Sequence, residues 1–144
     1  MIATNHYLVG VAIVVGLKNP ILVLPAAFAS HFVLDALPHF GLKYSTQRGK
    51  ILLIGATLDT LLCIAAFVLT LHFYPTWYVL AGLVAITPDF AWVYRFTIKE
   101  KFGKLPPAPC SRFNDWHTNI QKFESPRGGM VEVAVAATLA AFLF

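Results

Sequence analysis

The stretch GKILLIGATLDTLLCIAAFVLTLHF, residues 49–73, decides the class of fold. It holds one lysine at its start and one acid, Asp59, within an otherwise apolar run. A helix needs roughly 20 apolar residues to cross a bilayer core, and this stretch supplies them. Similar runs lie on both sides of it. Toward the N-terminus they cover 21–40 and 4–17, the second ended by Asn19-Pro20. Toward the C-terminus they cover 76–96, after Tyr74-Pro75, and 126–144. Ser125-Pro126 is a helix start, with Ser as N-cap and Pro at the first helical position. The 4–17 run is short at ~1.5 Å per residue, so it must tilt, thin the bilayer or pack inside the bundle.

The polar segment between the last two runs begins with the breaker Leu105-Pro-Pro-Ala-Pro109. Over 111–124, Phe113, Trp116, Ile120 and Phe123 recur at helical spacing. This predicts an amphipathic helix on the membrane surface, with a loop packed on the bundle as the alternative. The expected fold is therefore all-α: a polytopic helical membrane protein with about five membrane helices plus one interfacial helix, in a single domain over residues 1–144.

Composition agrees. Of 144 residues, 58% are hydrophobic and only 12% charged, with a mean hydropathy of +0.68. Soluble domains carry about twice that share of charge. The composition excludes a disordered chain, a nucleic-acid-binding domain and a disulfide scaffold. Cys63 lies in an apolar run and Cys110 in a Pro-rich loop, so neither suggests a staple. The first ten residues hold no Lys or Arg, so the first apolar stretch is expected to be retained as a helix.

The net charge of +4 is unevenly spread. Lys43, Arg48 and Lys50 follow the second run, and Arg95, Lys99, Lys101, Lys104, Arg112, Lys122 and Arg127 follow the fourth. The other side has only Lys18. The positive-inside rule then places the basic loops and the N-terminus in the cytoplasm and the C-terminus outside, in the cytoplasmic (inner) membrane.

Four of the seven acids fall inside the predicted spans: Asp35, Asp59, Asp89 and Glu132. A carboxylate at that depth costs several kcal/mol unless paired, protonated or metal-bound. His6, His31 and His39 lie on the same side, and His117 falls on the 111–124 helix. On a ~1.5 Å rise, Asp89 lies about 10 Å inside, Asp59 roughly 15 Å and Glu132 about 9 Å, all in the cytoplasmic half. The sharpest motif is His31-Phe-Val-Leu-Asp35-Ala-Leu-Pro-His39. Steps of four turn about 40°, so the three side chains share one helix face. His31 and His39 would stand ~12 Å apart on a regular helix, too far to ligate one ion together. Either Pro38 distorts the last turn or His39 serves another role. Bland alternatives exist for each group. Asp59 could be a hydrogen-bonded helix contact, Asp89 could satisfy backbone freed by Pro88, and His6 and His117 could be interfacial residues.

Asn5-His6-Tyr-Leu-Val-Gly10, Ser30-His31-Phe-Val-Leu-Asp35 with Gly41 beyond it, and Thr87-Pro88-Asp89 are similar to segments of the membrane-bound metal-dependent hydrolases. That family includes the LexA-regulated inner-membrane hydrolase-like proteins and has a more distant likeness to zinc-dependent phospholipases C. The resemblance implies a polytopic helical protein with a hydrolase activity, and His6, His31, Asp35 and Asp89 as metal ligands. Depth alone adds Asp59, Glu132, His39 and His117.

The expectation is a divalent metal held by His6, His31, Asp35, His39 and Asp89, with zinc first and manganese or iron next. Asp59, Glu132 and His117 are the catalytic candidates, with a carboxylate as general base. Membrane lipids are the surroundings, and a small molecule or a lipid phosphoester is the substrate. Arg48 and Arg127 are the candidates to hold its phosphate. The competing expectation is a non-enzymatic protein: a metal or proton transporter, or a structural helper whose polar groups lock helix packing. Ala136 and Ala140 have the small-xxx-small spacing that suits a homo-oligomer.

Overall fold

The computed structural model describes residues 1–41, 48–103 and 110–144, with the side chains of 48–50, 52, 92 and 95–102 outside that description. Six helices follow in order: α1 (Ala3–Leu17), α2 (Pro20–Asp35), α3 (Arg48–Phe73), α4 (Thr76–Phe102), α5 (Cys110–Ile120) and α6 (Gly128–Leu143). The described residues contain no strand, only one parallel bridge between His39 and Glu124. α3 carries one stretch, Leu53–Phe73, long and apolar enough to cross a membrane. α1, α2, Trp77–Ala91 of α4, and α6 are apolar but shorter.

Local chemistry sets the helix ends. α1 stops where Lys18 turns left-handed at φ 53° and its N–H returns to Val14 O. Asn19 Oδ1 then accepts from Ile21 N at 3.0 Å, with Pro20 in the first turn of α2. Ser125 acts much as its sequence suggests: its Oγ accepts from Gly128 N at 3.2 Å, and regular helix begins there. The N-terminus of α1 has no cap of its own. Asp59 supplies one from α3, accepting from Ala3 N at 2.8 Å and Thr4 N at 3.0 Å.

α1 packs against α2, α3, α4 and α6 and so lies at the centre. Its crossing with α4 is close because both partners lack side chains there. A β-carbon on Gly10 would stand 2.5 Å from Ala81 O, and one on Gly82 would meet the Tyr7 ring. Tyr7, fully buried, fills the gap. Small residues at such crossings let backbones approach. α1, α3 and α6 run one way and α2 and α4 the other. The α3–α4 turn meets the end of α6, where Tyr74 Oη donates to Leu143 O at 2.5 Å.

Two expectations change. The 21–40 run is not one helix: α2 ends at Asp35, two residues before Leu37-Pro38. A residue before proline is pushed out of the helical region, and helices commonly stop there. His39 therefore leaves the His31/Asp35 face and joins the short bridge to Glu124, with Ser125 N donating to His39 O at 2.9 Å. The second change concerns 111–124. A helix forms over Cys110–Ile120, but its buried residues are Asn114 and His117, while Trp116 and Phe123 are exposed. The polar face turns inward because buried acceptors require donors. Asn114 Nδ2 donates to Ala91 O at 3.1 Å, and the His117 ring reaches the carboxylate of Asp35.

Candidate metal centre

His31 and Asp35 stand one turn apart at the end of α2, and both are fully buried. The ring of His31 is fixed from behind by α4. Pro88 has no amide to offer the turn before it, and the Thr87 hydroxyl donates to Val84 O instead at 2.7 Å. The next carbonyl, Ala85 O, accepts from His31 Nδ1 at 2.8 Å. The carbonyl freed by Pro88 is thus served by Thr87, and the Asp89 side chain faces the His31 ring. With its proton on Nδ1, His31 presents the Nε2 lone pair to the interior.

Around that nitrogen the other groups gather. His117 Nε2 lies 3.1 Å away, Asp35 Oδ2 3.2 Å and Asp89 Oδ1 3.6 Å. His117 Nε2 is also 2.6 Å from Asp35 Oδ2. One ligand atom from each of His31, Asp35, Asp89 and His117 falls within 4.8 Å of all the others. His6 comes from the opposite side. Its ring stacks on His31 at 3.9 Å between centroids, and its Nε2 lies 3.2 Å from Asp35 Oδ1. The Met1 amine is 2.5 Å from the same oxygen, and Gln121 Nε2 donates to Oδ2 at 2.9 Å.

These separations suit a cation. With bonds of about 2.0–2.1 Å, the edge of a tetrahedral zinc site is about 3.3 Å. The 3.1 Å and 3.2 Å spacings around His31 Nε2 are close to such an edge, while the 2.6 Å between His117 Nε2 and Asp35 Oδ2 is a direct hydrogen bond that a bound ion would open. Burial points the same way. The Nδ1 atoms of His6 and His117 are buried without a hydrogen-bond partner, and His6 Nε2 meets only Asp35 Oδ1, without good hydrogen-bond geometry. Buried polar atoms are normally paired, so unmatched imidazoles around one carboxylate call for a further partner. Three imidazoles and two carboxylates are a donor set for zinc, and for manganese or iron after it. The residues present fit a divalent metal.

The remaining predicted residues stand as follows. His39 is apart from the cluster: its Nδ1 bonds Leu37 O at 2.8 Å and its Nε2 lies 3.8 Å from Glu124 Oε1. Asp59 caps α1 and also accepts from the Thr4 hydroxyl at 2.6 Å, which is the helix-contact role weighed above. Glu132 accepts from Ile2 N at 3.1 Å, and Asn5 Nδ2 donates to its backbone carbonyl at 3.1 Å. Both carboxylates therefore hold the first turn of α1. His117, expected beside the apolar stripe of an interfacial helix, is in the centre of the cluster. Arg127 is exposed at the start of α6, and the side chain of Arg48 lies outside the described residues, as does Lys43.

Gln121 and Asn114 were not singled out from the sequence. Asn114, His117 and Gln121 recur three and four apart, so a polar stripe was present to be read. A cavity of about 570 Å³ adjoins the cluster, and Asp89 and Gln121 line it together with Asp59 and Glu132. Asp89, with its side chain 37% exposed, connects the buried centre to this space. No family model, curated protein or solved structure matches the chain.

Proposed function

We propose that this chain is a polytopic membrane protein that acts as a divalent-metal-dependent hydrolase, with its site buried in the cytoplasmic half of the bundle. The observation that carries the reading is the convergence of His31, Asp35, Asp89 and His117 within 4.8 Å. His6, fully buried and with its Nε2 3.2 Å from Asp35 Oδ1, adds a donor on the other carboxylate oxygen.

The membrane setting is supported by the surface of α3. Only 11% of its membrane-length stretch is buried. A helix so apolar and so uncovered suits lipid rather than water. In this reading the shorter apolar helices also lie in the bilayer, giving five membrane segments with the N-terminus cytoplasmic and the C-terminus outside, as the lysines and arginines suggest. The N-terminal and His-x-x-x-Asp resemblance points to the same chemistry.

When bound, a divalent ion supplies Lewis acidity and brings the pKa of a bound water toward neutrality. His31, its Nδ1 held by Ala85 O, keeps its Nε2 lone pair directed at the centre. Gln121 fixes the orientation of Asp35. Asp89, one of the candidate ligands, borders both the cluster and the cavity, so the ion it would help hold faces the space a substrate enters. The substrate class is a lipid phosphoester reaching the cavity from the membrane.

Metal content of the detergent-purified protein tests this. Zinc or manganese near one equivalent is expected in the parent. It should be lost in His31→Ala and Asp35→Asn while both keep their helical signal, with hydrolysis of a lipid phosphoester lost in parallel. A folded parent that takes up neither metal after incubation refutes the reading. One observation favours a second role: the Met1 amine, Gln121 and His117 already satisfy both oxygens of Asp35. A purely structural polar lock predicts that metal-free outcome.

A further inference from the structure

α3 and α6 both pack on α1, and the cavity beside the cluster lies between them. Its volume of about 570 Å³ is in the range of ligand pockets, roughly 300–1,000 Å³. The long walls are apolar: Leu58 and Leu62 from α3, Val133 from α6. These same side chains are 57%, 54% and 70% exposed. The cavity therefore opens sideways, between two helices, onto the apolar surface. At the far end the two helices are joined by the Tyr74–Leu143 hydrogen bond and by the rings of Phe73 and Phe144, 5.9 Å apart.

The inner end has a different character. Asp59, Asp89, Glu124 and Glu132 line it; among the described residues they are opposed by the Met1 amine, which is paired with Asp35, and by His39, and no lysine or arginine lines it. The Glu124 side chain is 30% exposed and Asp89 37%, so both face the open space. An anionic headgroup entering here meets carboxylates in a low-dielectric setting, where like charges repel strongly. A cationic one is attracted. Charge complementarity and the sideways opening together define the occupant.

We infer that this cavity takes the hydrocarbon chain of a lipid whose headgroup carries an ammonium, with the chain between α3 and α6 and the ammonium against Glu124 and its neighbouring carboxylates. The inference rests on the hydrolase reading only in that the seated headgroup lies beside the candidate metal centre.

The test uses the full chain in micelles offered equal amounts of phosphatidylethanolamine and phosphatidylglycerol with matched acyl chains. Lipids retained after purification are counted by native mass spectrometry. The parent is expected to hold the amine lipid about fivefold or more over the glycerol lipid, and Glu124→Gln to cut that preference by about two- to fivefold, the weight of one partly exposed ion pair. Leu62→Trp, which fills the apolar wall, should lose both lipids while keeping its helical signal. Equal retention or a glycerol-lipid preference in the parent overturns the inference, as does a folded Leu62→Trp that retains lipid as the parent does. Metal is assayed on the same samples. A lipid preference without metal removes the hydrolase reading and leaves the cavity assignment, whereas metal without a preference removes the cavity assignment alone.

Discussion

From the Lys18–Asn19 turn inward, Val14, Val23, Ala27, Ala81 and Ala85 form a small-residue apolar core. Toward the other end of α1 and α2, His6, His31 and Asp35, joined by His117 of α5, are equally buried yet make contact through nitrogen and oxygen atoms. The first region is held by shape, so it tolerates no added atoms at its closest crossing. The second is held by direction and charge, so it tolerates changes of volume better than the loss of a donor. Substitutions should separate the two, with size governing one and hydrogen-bonding chemistry the other.

The largest expected effect is in the apolar region. Gly10→Ala sets a β-carbon against the Ala81 carbonyl, which is backbone and cannot swing aside. A stability loss near the upper end for overpacking, about 3 kcal/mol, should appear in unfolding from micelles. An unchanged midpoint would show that α1 and α4 can part without cost. In the polar region, Gln121→Ala removes the donor to Asp35 Oδ2. It should leave helix content intact and weaken metal binding by about 10- to 100-fold, measured by chelator competition. Equal affinity would mean that Asp35 is oriented by other groups.

Asp59 tests the border between the regions. If it serves as the cap of α1, Asp59→Ala costs about 0.5–2 kcal/mol and leaves metal content at the parent level. Loss of hydrolysis with unchanged stability would instead restore it as a catalytic group. The smallest effect is expected at Trp116, which is exposed on α5. Trp116→Ala should shift stability in micelles by no more than about 0.5 kcal/mol. A larger shift would show that its packing on Phe32 and Phe113, or lipid around it, carries weight that its exposure hides.

Much of the helix pattern was legible in the sequence. Apolar runs at 4–17, 49–73 and 76–96 match the starts of α1, α3 and α4 to within one residue. The family resemblance singled out His6, His31, Asp35 and Asp89, which the fold brings together, and depth alone added His117, which joins them. What depth could not supply was rotation. Asp59 and Glu132 lie at similar depth to the cluster but turn toward the first turn of α1. Their partners are 55 and 130 residues away in sequence, beyond the reach of local pattern. The face of α5 was misjudged for a related reason. Its phenylalanines and tryptophan gave a clear apolar stripe, but the face that docks is chosen by unpaired acceptors on α2 and α4. That choice exists only after those helices have assembled.

The candidate ligands are strung along most of the chain, and His117 reaches the cluster from the fifth helix. During synthesis the ribosome therefore releases the last donor only after four helices have been laid down. If the proposed centre forms, nascent chains stopped after Phe102 lack the His117 donor and should hold metal more weakly than the full chain, as chelator competition would show. On the proposed reading, completion of the centre is therefore a late step of synthesis, set by where His117 stands in the chain.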